Sequence, residues 1–182
     1  MKHVLLFLLL ILVLPGCSSQ NFKEGYIIFQ TSQTKQAPLI AKATGSDITH
    51  CGIIIEKNNQ FYVLETLGTI KLTPVDKFIK RGLFHRYKVK HLKTPKNIKI
   101  KYKKYLGIPY DLAFKFNNGK YYCSELIYDI YKTQFGIELC KPKKLESYNL
   151  TGLKKIATRR GMNMNQLVVA PSDLYDSEYL TK

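Results

Sequence analysis

A chain of 182 residues is long enough for one domain with a substantial core and short for two. Its 45% hydrophobic and 12% aromatic residues, spread along the sequence, exclude a disordered chain and remove any need for a disulfide framework. The 29 basic against 13 acidic residues give a formal charge of +16, which excludes an acidic solvating protein and points to anionic partners.

The chain opens with Met1-Lys2-His3 and the apolar run VLLFLLLILVL, too short to span a bilayer comfortably. LPGC then ends the run at Cys17. Leu14 and Gly16 stand three and one residues before that cysteine, which resembles the lipobox of bacterial lipoproteins, although Pro15 is an uncommon middle residue. Residues 1–16 are therefore expected to be a lipoprotein signal peptide, residues 17–24 a lipid-anchored tether, and residues 25–182 a single domain. Acylated at Cys17, the chain would sit on a membrane of the bacterial cell envelope and face away from the cytoplasm. An ordinary cleaved secretory peptide, with Cys17 incidental, is the other reading, and it exports the domain equally. For an exported chain no nucleic acid is expected. The basic clusters at 99–104, 141–144 and 154–160 would instead meet anionic head groups or acidic envelope polymers, most of their lysines forming a solvated face.

GYIIFQ (25–30) is a β-prone run and reads as the first strand, and APLIAKAT (37–44) as a short helix before Gly45. ITHCGIIIEKNNQFYVLET (48–66) places two apolar runs around Asn58-Asn59, the pattern of a hairpin. A turn centred there sets opposite one another residues whose numbers add to about 117, so Glu65 lies one diagonal from the partner of His50. TIKLT continues as a strand, Pro74 stops it, and a short helix follows. LFHRYKV (83–89) reads as a strand and residues 95–106 as a basic helix. GIPYDLAFKFNNGKYY is a loop leading into a helix headed by Cys123, in which Leu126, Ile127, Ile130 and Tyr131 form one buried stripe and Gly136 is the stop. A further helix is expected around 149–160, and a late strand in QLVVAPSDL.

With Cys17 set aside, Cys51, Cys123 and Cys140 remain, an odd number, so at least one thiol stays free. No CxxC or HxxxH spacing occurs, and the adjacent His50 and Cys51 would point opposite ways on a strand, so no metal site is expected. Cys51 should turn into the core and Cys140 lacks a helix start, while His85 and His91 read as structural or surface residues. Cys123 differs. A thiol at a helix N-terminus faces unpaired backbone N–H groups and the positive end of the dipole, both of which favour thiolate. A cysteine nucleophile needs a base and the base an orienting group, roles that His50 and Glu65 can fill from neighbouring strands. A buried cysteine that merely begins a core-facing helix is the competing reading.

SDITHCGI, a glutamate after the next strand, GIPYD, YYCSEL and APSDLYDS together resemble the permuted papain-fold hydrolases of the YiiX and YaeF kind, relatives of the NlpC cell-wall peptidases. The likeness runs from Gly25 to Ser177 with the motifs in family order, and the histidine precedes the cysteine as the permuted branch requires. It implies an α+β fold in which the cysteine helix packs on a small antiparallel, barrel-like sheet. It also implies Cys123 as nucleophile, His50 as general base and Glu65 as the residue that orients the imidazole, with no cofactor. Tyr110, Asp111 and Tyr122 match family positions near the cleft: they would line it, lend a hydroxyl to the oxyanion, or pack against the sheet. Glu125 would complement the first helical turn. The implied reaction is acyl transfer through an acyl-enzyme, either amide hydrolysis in a peptidoglycan-type peptide or small amino-acid amide, or (thio)ester chemistry on lipids as in the related lecithin-retinol acyltransferase group. A non-catalytic binding lipoprotein is the alternative of a different class.

Overall fold

The computed structural model describes residues 22–94 and 96–182; the expected signal peptide, Cys17 and most of the tether lie outside the described residues. The elements in chain order are β1 (Ile27–Gln30), α1 (Ala37–Thr44), β2 (His50–Lys57), β3 (Gln60–Leu67), β4 (Thr69–Pro74), α2 (Val75–Lys80) and β5 (Lys88–Leu92). After a long connection come α3 (Cys123–Phe135), β6 (Lys143–Lys144), α4 (Lys154–Arg159), β7 (Leu167–Val168), α5 (Pro171–Tyr175) and β8 (Leu180–Thr181). Six strands form one antiparallel sheet in the order β4-β3-β2-β1-β5-β8, and β6 pairs with β7 apart from it. None of the helices among the described residues is long and apolar enough to cross a membrane.

Both faces of the sheet are covered, which explains why its central strands read as continuous apolar runs instead of alternating. Ile27, Phe29, Cys51, Ile53 and Ile55 face α3 and its stripe of Leu126, Ile127, Ile130 and Tyr131, all four of which are 0% exposed. Ile28, Ile54 and Val63 face the other way, onto Val75 and Phe78 of α2. The hairpin turns at Asn58-Asn59, both with left-handed backbone (φ 52° and 57°), as a two-residue turn matched to strand twist requires. Its register runs from Lys57 opposite Gln60 to Ile53 opposite Leu64, as the sequence predicts. The stripe on α3 carries much of the fold. Leu126→Ala is expected to cost about 2–5 kcal/mol, read as a lower denaturant midpoint at unchanged slope.

Two predicted elements are corrected. Residues 83–85 form a 3₁₀ turn in which Phe84 and His85 have φ of 53° and 55°, and the strand starts only at Lys88. The cause is a missing partner: β5 pairs with β1 up to Phe29 opposite Lys88, and β1 ends at Gln30. The expected basic helix is instead a segment without regular secondary structure over 96–102, followed by a 3₁₀ turn at Lys103–Tyr105. Ile98 and Ile100, two apart, both enter the core below α3. The Glu24 carboxylate accepts the Ile100 N–H (2.7 Å) and the Gln134 side chain the Lys101 N–H (2.9 Å), so the backbone donors that a helix would satisfy internally find side-chain acceptors. The late strand shrinks to Leu167–Val168, because Pro171 opens α5.

Candidate active site

The site forms where α3 begins against the starting end of β2. His50 is the first residue of β2 and Glu65 lies on β3, both on the sheet face opposite α3. The next even position, Gly52, explains how β3 comes so close: a Cβ there would meet Val63 Cγ1 at 2.3 Å and the Leu64 carbonyl at 2.9 Å. The imidazole stacks on Phe78 at 5.6 Å between ring centroids, and its Nε2 lies 2.7 Å from Glu65 Oε2. The second carboxylate oxygen accepts from the Arg81 guanidinium, which follows α2 and lies over the Phe78 ring. With Nε2 committed to Glu65, the other group that bears on the imidazole is the Cys123 thiol.

Charge in this cluster is mutually stabilised. Burial alone would raise the Glu65 carboxyl, but His50, Thr73 and Arg81 hold it at about 2. Burial alone would lower His50, but Cys123 and Glu65 beside it raise it to about 9. The Cys51 S–H lies against Cys123 and holds that thiol down; burial opposes this, and His50 and the Cys51 backbone N–H take it well below the ordinary cysteine range. An S–H is a weak donor, so the thiolate–imidazolium pair is the part that a substitution can probe. Cys51 itself is pushed well up, by burial first and then by Cys123. Strand parity places Cys51 in the core as expected, yet that core position is the one next to Cys123.

The other sequence candidates separate. Tyr110 is tied through its backbone N–H to the Gly68 carbonyl (2.9 Å), and its hydroxyl is pushed well up by burial first and then by Cys123, so it stays protonated and can donate. The Tyr122 hydroxyl accepts the Val169 N–H (3.1 Å) and its ring packs edge-on to Phe114 at 5.0 Å, a structural position. Asp111 organises its own loop, accepting from the Ala113 and Lys115 N–H groups and the Asn118 amide at 2.9, 2.5 and 3.1 Å. Glu125 folds back to accept the Tyr122 N–H (3.5 Å) at the start of α3 and is raised to about 8, chiefly by burial. His91 stacks on Tyr26 at 4.8 Å, His85 sits in the 3₁₀ turn, and Cys140 is pushed up to about 12 by burial. Sequence reasoning missed Arg81; one arginine among many lysines after a short helix carries no local mark of its partner.

Two recesses flank the Cys123–His50 pair. On the thiol side, a recess of about 80 Å³ is lined by Cys123, Tyr122, Phe114, Ile40 and Val169 among others. On the histidine side, a more polar one of about 330 Å³ is lined by His50, Glu65, Gln30, Ser32, Lys80 and Arg81 among others.

Comparison with known proteins agrees with this geometry. Residues 21–182 match the family described as permuted papain-like amidase enzyme, YaeF/YiiX, C92 family. The uncharacterized protein YiiX of Escherichia coli (strain K12) is 31% identical over 192 residues, which cover 100% of this chain and 95% of that protein. The crystal structure of YiiX from Escherichia coli O157:H7, described as a metalloprotein, superposes with a TM-score of 0.80 at 30% identity over 87% of this chain and 94% of that one. With a histidine strand that precedes the cysteine helix and a match spanning the whole described structure, the chain belongs to the permuted papain-like amidase family.

Proposed function

We propose that the protein is a cofactor-independent thiol hydrolase that cleaves an acyl bond, in family terms an amide, with Cys123 as nucleophile, His50 as general base and acid, and Glu65 as its orienting carboxylate. The observation that carries the reading is the buried Glu65–His50 contact at 2.7 Å beside a thiol at a helix start. The Cys123 thiolate adds to the carbonyl carbon, and the oxyanion is held by the backbone N–H at the start of α3 and the Tyr110 hydroxyl. His50 gives its proton to the departing nitrogen or oxygen as the carbon–leaving-group bond breaks. A water, deprotonated by His50, then cleaves the thioester and restores the thiol. Arg81 fixes the Glu65 carboxylate, and through it the imidazole plane.

A resident metal does not suit these residues. The His50 Nε2 is taken by Glu65, and among the described residues no group of three His, Cys, Asp or Glu side chains is placed to hold a metal ion. We further place the enzyme on the bacterial envelope, anchored through Cys17 and facing away from the cytoplasm, with its basic clusters toward anionic head groups or polymers; the LPGC motif and the charge support this. Peptidoglycan-type peptides and small amino-acid amides are the amide substrates the family suggests.

Alkylation tests the reading without a substrate. In the chain lacking residues 1–17, iodoacetamide is expected to modify Cys123 well below about pH 7, ahead of Cys51 and Cys140, with the profile moved upward by His50→Ala. A Cys123 profile near about pH 8.5 that ignores His50 would remove the activated thiolate, and a binding lipoprotein would replace the enzyme.

A further inference from the structure

Three cysteines lie among the described residues, and all three are free thiols. Two of them meet. Cys51 follows His50 on β2, so strand alternation turns it to the other face of the sheet, where it shares a core with the residues of α3. Cys123 is the first residue of α3, and helical side chains lean toward their own N-terminus, which brings its sulfur onto the start of β2. Both the S–H and the backbone N–H of Cys51 bear on that sulfur. Cys140 stands apart, half-buried beyond the end of α3 and in the field of Asp173.

Acyl transfer gives the Cys51 sulfur no bond to make or break. Packing does not call for a thiol there either, since Ile53 and Ile55 fill the next two positions on the same face of the strand. What a second thiol in contact with the first supplies is a partner for an oxidised sulfur. We propose that Cys51 and Cys123 form a reversible disulfide, with peroxides as the oxidant class, which shuts the nucleophile off and shelters it from irreversible oxidation.

The Cys123 thiolate attacks one oxygen of hydrogen peroxide, the O–O bond breaks, hydroxide leaves, and the sulfur becomes a sulfenic acid. The Cys51 sulfur then attacks that sulfur, and the sulfenic hydroxyl departs with the thiol proton as water while the S–S bond forms. The two sulfurs give up two electrons and the peroxide takes them. The first step prepares the second: once Cys123 no longer carries a negative charge, one of the causes that keep the Cys51 thiol protonated is gone. A small oxidant also suits a residue that is only 3% exposed. The inference takes from the proposed function only the activated thiol, and it is independent of the bond that thiol cleaves.

Hydrogen peroxide added to the full chain, followed by peptide mass spectrometry and then by dithiothreitol, tests the pair without any substrate. The parent is expected to lose two hydrogens as the Cys51 and Cys123 peptides become joined, to stop alkylating at Cys123, and to regain alkylation on reduction. Cys51→Ala is expected to collect the Cys123 sulfinate instead, with the recoverable fraction at least about tenfold lower. Circular dichroism before treatment checks the fold, Cys51→Ser takes over where the alanine variant fails that check, and Cys140→Ser should behave as the parent. A parent whose Cys123 passes to the sulfinate as fast as in Cys51→Ala, a disulfide made instead to Cys17, to Cys140 or between two chains, or a Cys123 that peroxide leaves unchanged would overturn the inference. A parent that forms no such disulfide yet is acylated at Cys123 keeps the hydrolase and loses the pair; one that forms it yet turns over no acyl donor does the reverse.

Discussion

Cys123→Ala is expected to reduce turnover of any acyl donor by at least about 10⁴-fold, down to what the oxyanion donors and binding alone can supply. The mechanism leaves no second route, because the residue that forms the thioester is gone and water would have to attack the carbonyl directly. The fold should tolerate the change. Cys123 begins α3 with its thiol directed at His50 and Cys51, and alanine is the better helix former. Circular dichroism and thermal melting of the variant, beside its kinetics, separate chemistry from folding. Activity within tenfold of the parent in a folded variant would refute the nucleophile and restore the competing view of Cys123 as a packed core thiol.

Glu65→Gln is expected to act through the pH profile. The reactive form is thiolate beside imidazolium, so the rate rises as Cys123 loses its proton and falls as pH climbs through the His50 value of about 9. Glutamine preserves the shape but removes the charge that helps hold that value up. The alkaline limb should therefore move down toward the ordinary histidine range, and the acid limb up as the weakened imidazolium stabilises the thiolate less. At about pH 8 the combined loss should be on the order of 10²-fold or more. Arg81→Ala removes a cation from the same carboxylate and leaves Glu65 the stronger partner of the imidazolium, so the alkaline limb should move up instead. A uniform loss at every pH with both limbs in place would make Glu65 a packing residue instead of the imidazole's partner.

How much of this was legible follows the range of each interaction. The Asn58-Asn59 turn and the apolar runs around it set the hairpin register and so brought Glu65 within reach of His50, since both signals lie within twenty or so residues. The stripe of α3 and its Gly136 stop were equally local. The segment 96–102 misled because two isoleucines separated by a lysine are too short a run to declare a period, and its irregular path depends on Glu24 and Gln134 from distant parts of the chain. The turn at 83–85 depends on where another strand ends. Arg81 and the closeness of Cys51 to Cys123 are products of packing: parity said which way Cys51 points, but not which part of α3 would lie over it.

The thiol and the groups beside it come from separate stretches of the chain, and only the packing of α3 against the sheet joins them. Before folding Cys123 is an ordinary cysteine, titrating at about 8.5 and largely protonated at neutral pH. On the proposed mechanism folding itself is the activation step: a newly made or misassembled copy would be chemically silent, and the thiol would be activated only as β2, β3 and α3 lock together. Reactivity becomes a record of assembly, so a thiol-directed probe applied at low pH would count correctly folded molecules and pass over every other copy.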